Sequence, residues 1–99
     1  MATAIIKLAP RNVLRDCAFC SDVKTIVKNN LEFYTVCPEI ETGHTGEAAA
    51  EEMFDLTNNP SRQEEREKLY GRGRSVSVGD VVTVDGVDHV CESFSWVKL

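Results

Sequence analysis

Polar and apolar positions alternate most cleanly near the C-terminal end of the chain. Residues 75–84 (SVSVGDVVTV) and 87–91 (VDHVC) are runs rich in β-branched side chains, and Asp85-Gly86 stands between them. Asp-Gly accepts the two positive-φ positions of a type I′ turn, so the pattern predicts a β-hairpin with its tip at Asp85-Gly86. Phe94 to Val97 follows as a further extended segment, in which Phe94 and Trp96 share one face and Ser93, Ser95 and Val97 the other.

Earlier in the chain the pattern changes period twice. Ala4 to Leu8 is short and β-rich and is closed by Pro10, which predicts an N-terminal strand. Residues 11–29 allow two readings. Val23 to Lys28 and Leu31 to Cys37 flank Asn29-Asn30, a second hairpin signal, because Asn tolerates positive φ. Val13, Cys17 and Cys20 instead follow a loose helical period. As a strand, residues 31–37 place Leu31, Phe33, Thr35 and Cys37 on one face and Glu32, Tyr34 and Val36 on the other, and Pro38 ends it.

Glu39 to Gly46 reads as a loop. Thr45 is the expected cap of a helix over 47–57, whose apolar stripe is Ala49 or Ala50 with Met53, Phe54 and Thr57. Asn58-Asn59-Pro60 stops it. Ser61 and Glu64 match a capping box, which predicts a second helix to about Tyr70, charged on most faces and ended by Gly71 and Gly73. The expected architecture is one α+β domain over residues 1–99, with antiparallel hairpins forming a curved sheet or small open barrel beside two central helices.

The order of features from residue 47 onward resembles the YodL-like group of small proteins found on conjugative elements, plasmids and phages. The likeness rests on Tyr70-Gly71-Arg72-Gly73-Arg74-Ser75, the Ser-Val-Gly-Asp-Val-Val core at 77–82, the short Asp-Gly hairpin and the aromatic ending Phe94-Ser95-Trp96. Ser95 stands where members often carry Gly. The resemblance covers about half of the chain, and residues 1–46 have no counterpart in it. It implies an accessory protein of a mobile element and transfers no catalytic residues.

Charge sharpens this picture. The chain of 99 residues carries net −5, unevenly distributed. Residues 38–60 hold six acids and no base, whereas 61–74 hold five bases against three acids. Such a balance disfavours general nucleic-acid binding, which needs a basic face for phosphate neutralisation. The acidic residues Glu39, Glu41, Glu47, Glu51, Glu52 and Asp55 are the expected contact with a basic protein partner, since charge complementarity speeds encounter and selects partners. Phage and plasmid proteins that block restriction or CRISPR effectors imitate DNA in this way. Tyr70, Arg72 and Arg74, spaced by glycines, form the expected basic turn for a phosphate or carboxylate, and the place where a nucleic acid would be met.

The remaining chemistry lies in the cysteines. Cys17-Ala18-Phe19-Cys20 has the spacing of half a zinc knuckle, and Cys37 with His44 would complete a Cys₃His set, with His89 and Cys91 as alternatives. No second close pair accompanies it, and buried thiols in a reducing cytosol are the preferred reading, so no cofactor is expected. There is no Gly-x-Ser-x-Gly elbow, P-loop or His-Glu-x-x-His, and the expected function is not enzymatic. His89 is expected as a packed, hydrogen-bonded core histidine. No apolar run approaches a membrane span and the N-terminus does not read as a signal peptide, which makes the cytoplasm the expected location. An exposed strand edge leaves a homodimer open.

Overall fold

The structure, a computed structural model, describes residues 1–19, 22–71, 73–93 and 95–99. Its fold is α+β: an open five-stranded antiparallel sheet with helices on both faces. The expected Cys20, Arg72 and Phe94 positions lie outside the described residues. Among those described, no helix is long and apolar enough to cross a membrane.

β1 (Ala2–Leu8) buries every second residue, Ala2, Ala4, Ile6 and Leu8, as a strand with one fully covered face must. Pro10 then opens α1 (Arg11–Ala18), and its carbonyl accepts from the Val13 and Leu14 N–H groups. Asp22 caps α2 (Val23–Asn30), with Oδ1 accepting from the Thr25 N–H at 3.3 Å. The two readings of 11–29 are thereby decided for helix. Val13 and Cys17 in α1, and Val23 and Val27 in α2, point inward at i, i+4 spacing. The Asn29-Asn30 hairpin does not form; Asn30 turns its amide back onto the Ile26 carbonyl at 2.8 Å. A 3₁₀ turn, Leu31–Phe33, replaces the start of the expected strand. It reverses the predicted facing, so Tyr34 is buried and Phe33 is 63% exposed.

β2 (Thr35–Thr42) runs through Pro38 and through the segment expected to be loop. Pro38 is tolerated there because β2 is an edge strand and carries a bulge. Ile5 pairs with Glu39 and Lys7 with Val36, so Cys37 and Pro38 of β2 together oppose Ile6 of β1. The same features blunt this edge against pairing with another chain.

α3 (Gly46–Asn58) buries Ala49, Ala50, Met53, Leu56 and Thr57. Leu56 takes the inward place assigned to Phe54, which sits half-buried at the margin of the core. Thr45 holds the cap position, but its side chain makes no cap bond. The Ser61 capping box is displaced as well. Pro60 starts a 3₁₀ turn (Pro60–Arg62) one turn early, and Asn59 accepts from the Ser61 N–H at 3.0 Å. α4 (Gln63–Leu69) follows with no side-chain cap.

β3 (Val81–Val84) and β4 (Val87–Cys91) form the expected hairpin, with Asp85 at φ 47° and Gly86 at φ 84°. β5 (Trp96–Lys98) completes the order β2-β1-β3-β4-β5. Only residues 81–84 of the predicted 75–84 run join the sheet. The register sorts side chains by face, since directly paired residues share one. Ile6, Val82 and Val84 meet Met53 and Leu56 of α3. Val81 and Val90 meet Val13, Cys17 and Val27 of α1 and α2.

Candidate functional site

The loop between α4 and β3 is organised by one carboxylate. Asp80 is fully buried, at 0% exposure. A buried charge must be paired and hydrogen-bonded, and Asp80 is both. Its Oδ1 accepts from the Ala9 N–H (2.8 Å) and Arg74 Nη2 (2.6 Å), and its Oδ2 from the Ser77 N–H (2.8 Å) and Arg74 Nη1 (2.5 Å). Arg74 Nη2 also donates to the Ala9 carbonyl at 2.9 Å. The pair therefore joins the end of β1, the loop and the start of β3. Tyr34 Oη donates to the Gly79 carbonyl (2.6 Å) and Tyr70 Oη to the Arg74 carbonyl (2.5 Å), which ties both flanking layers to the same loop. Thr57 and Asn58, at the end of α3, hold Ser75 and Val76 from the other side.

This junction changes the meaning of the basic turn. Tyr70 is buried and Arg74 is committed to Asp80, so neither side chain is presented to an external anion. Arg72 lies outside the described residues. Pairing with Asp80 holds Arg74 more firmly protonated than an ordinary guanidinium. Burial raises the phenols of both Tyr34 and Tyr70.

The six acids are not one surface. Glu39 pairs with Ile5 and Glu41 with Thr3, which puts both on the sheet face opposite α3. Glu47, Glu51, Glu52 and Asp55 line the outer side of α3 at helical spacing. Two of them hold the C-terminal strand: Glu51 Oε2 accepts from Trp96 Nε1 at 2.7 Å and Glu47 Oε1 from the Trp96 backbone N–H at 3.3 Å. Glu52 and Asp55 meet Arg62 at 2.7 and 2.9 Å, and Glu65 joins them at 2.8 Å. The hydrogen bonds Arg62 donates to Glu65, Glu52 and Asp55, in that order, raise its pKa, and Arg62 in turn lowers that of Glu65. His44 lies 3.7 Å from Glu52 at the same surface. The result is a carboxylate face with Ala48 exposed in its middle and Arg62 as its neighbouring guanidinium.

The cysteines are distributed rather than gathered. Cys17 is buried in the core on the α1–α2 side, Cys37 borders the core on the α3 side, and His44 is exposed beside α3. Cys20 lies outside the described residues, among which no three His, Cys, Asp or Glu side chains converge on a metal position. Cys91 and His89 occupy the α3 side of β4. Burial pushes the Cys91 thiol up to about 12, with Asp80, Glu51 and Glu92 adding to the effect, and raises Cys37. This is the direction opposite to a reactive thiolate. His89 is buried as expected, and desolvation, reinforced by Lys98, lowers its pKa.

Three residues of consequence escaped the sequence reading. Asp80 and Gly79 looked like an ordinary strand opening, and Arg62 like one of many helix charges. A Gly-Asp pair ahead of a β-branched run, with an Arg six positions earlier, is the signal they leave. A notch of about 170 Å³ between α3 and the β4–β5 connection is lined by Glu51, Phe54, Cys91 and Trp96 among others, too small for a drug-sized ligand. No family model, curated protein or solved structure matches this chain.

Proposed function

We propose that this chain is a small non-enzymatic accessory protein of a phage or other mobile element, and that it recognises a basic protein partner through the outer face of α3. The observation that carries this reading is the row Glu47, Glu51, Glu52 and Asp55 on a helix without a single basic residue. The row is held rigid by the Trp96 and Arg62 contacts, so little side-chain entropy is lost on docking. A host-defence protein that normally grips nucleic acid has the cationic surface such a face would fit.

Ala48 provides a clean test, because it is exposed and makes no side-chain hydrogen bond. Ala48→Lys places a cation amid the carboxylates and leaves Trp96 and Arg62 in place. Wild type should capture a basic protein from host lysate in a salt-sensitive manner. Ala48→Lys, with unchanged thermal stability, should lose it. Equal capture by both, measured by quantitative mass spectrometry, removes α3 as the contact.

A further inference from the structure

The helices on the opposite side of the sheet display four exposed cations, with Asp16, Asp22 and Glu32 among them and Glu39 and Glu41 on the neighbouring strand. α1 displays Arg11 and Arg15 at i, i+4 spacing, with Phe19 one turn further along the same outward stripe. α2, packed beside it, displays Lys24 and Lys28 at the same spacing, with Thr25 and Asn29 between and after them. All of these side chains are exposed. The ion pairs among the described residues involve none of the four cations, in contrast to Arg62 and Arg74. Phe19 is 89% exposed and Phe33, beside Pro10 and Asn12 at the other end of α1, is 63% exposed. Two phenylalanines in water beside four uncommitted cations do nothing for folding.

We infer that the outer face of the α1–α2 pair binds single-stranded nucleic acid, with Arg11, Arg15, Lys24 and Lys28 on phosphates and Phe19 and Phe33 as stacking platforms. Phosphate neutralisation by unpaired cations explains the charge, and base stacking explains the aromatics; an acidic protein would use only the first. The acidic row on α3 lies across the sheet, beyond the roughly 10 Å over which exposed charges act at 0.1 M salt. Asp16, Asp22 and Glu32 lie nearer, so the contact is local to the two cation pairs Arg11–Arg15 and Lys24–Lys28 rather than a basic face. This surface is independent of the α3 reading, and either can fail alone. It also replaces the 70–74 turn as the place where nucleic acid would be met, because Arg74 is occupied.

The test is fluorescence anisotropy with a labelled 12-nucleotide oligo-dT, titrated with the full chain between 20 and 200 mM salt. Four phosphate contacts predict a log–log salt slope of about −3. Arg15→Ala with Lys28→Ala should weaken binding at least tenfold at low salt and reduce that slope by about 1.4. Phe19→Ala with Phe33→Ala should weaken it at least about thirtyfold and leave the slope unchanged. These surface changes should leave the circular dichroism spectrum and melting temperature unaltered. No salt-dependent binding at 20 mM, or binding that survives both double variants, overturns the proposal. So does equal affinity for poly-glutamate, which would make the surface an acidic-protein site, or for duplex DNA of the same length.

Discussion

Arg74 and Arg62 present the same guanidinium to carboxylates in two settings. Arg62 has more partners, meeting Glu52, Asp55 and Glu65 within 2.9 Å, yet all of them lie at the surface. Arg74 has one carboxylate partner, and that partner is wholly removed from water. Solvent screening and side-chain entropy leave exposed pairs nearly neutral in energy, whereas a buried carboxylate without its counter-charge is strongly unfavourable. The number of ion pairs is thus a poor guide to their weight. The Asp80 junction belongs to the fold, whereas the carboxylates around Arg62 stay at the surface, on the face proposed for partner recognition.

The largest effect that would break this contrast is expected at the junction. Arg74→Ala strands the Asp80 charge and should destabilise by about 3–5 kcal/mol, a large share of the stability of a domain this size. Thermal unfolding should show a fall of at least about 12 °C. The paired replacement Arg74→Met with Asp80→Asn should recover part of it. A loss below 1 kcal/mol for Arg74→Ala would mean the pair is not desolvated.

Gly79 sharpens the same point through sterics. Its φ is +97°, and an added Cβ would lie 2.8 Å from Cys17 Sγ. Gly79→Ala should lose about 1–3 kcal/mol from backbone strain, and more from the contact. Adding Cys17→Ala removes the Sγ contact but leaves Cys17 Cβ at 3.0 Å and the strain, so the urea midpoint should return only partway. Full recovery would show that the positive φ carries no penalty.

His89 gives a pH signature to the α3 side of the sheet. Its folded pKa lies below the ordinary 6.5, because burial and Lys98 oppose the charged ring while Glu47 and Asp88 favour it less strongly. Below pH 6.5 the unfolded chain binds a proton that the folded chain refuses. The contribution is fully present above that pH and is lost as pH falls toward the folded value. Denaturation between pH 7 and 5 should show this loss, and His89→Gln should flatten it. An unchanged pH profile would place the titration elsewhere.

The smallest effect is expected at the surface. Arg62→Ala should change stability by about 1 kcal/mol or less, with a difference that shrinks further at 0.5 M salt. A loss as large as that of Arg74→Ala would erase the comparison.

Local chemistry determined a good deal of this molecule from the sequence alone. Asp85-Gly86 between β-branched runs dictates its hairpin, because few other residue pairs accept two positive φ values. The β-rich run at 4–8 likewise names its strand, and the apolar spacing of α3 names Ala49, Ala50, Met53 and Thr57 as inward, although Leu56 rather than Phe54 completes the stripe. The acidic stretch was legible as composition, but not as two surfaces, since only the β1–β2 register puts Glu39 and Glu41 behind the sheet. Pro38 inside a strand, helix in place of an Asn-Asn hairpin, and Tyr34 inward with Phe33 outward were settled by partners far along the chain. So was the role of Arg74, whose carboxylate is six residues away while the backbone they jointly hold at Ala9 is 65 residues distant. Short-range dihedral preference is written in neighbouring residues. Which charges are buried together depends on which strands meet, and that is known only once the chain has closed on itself.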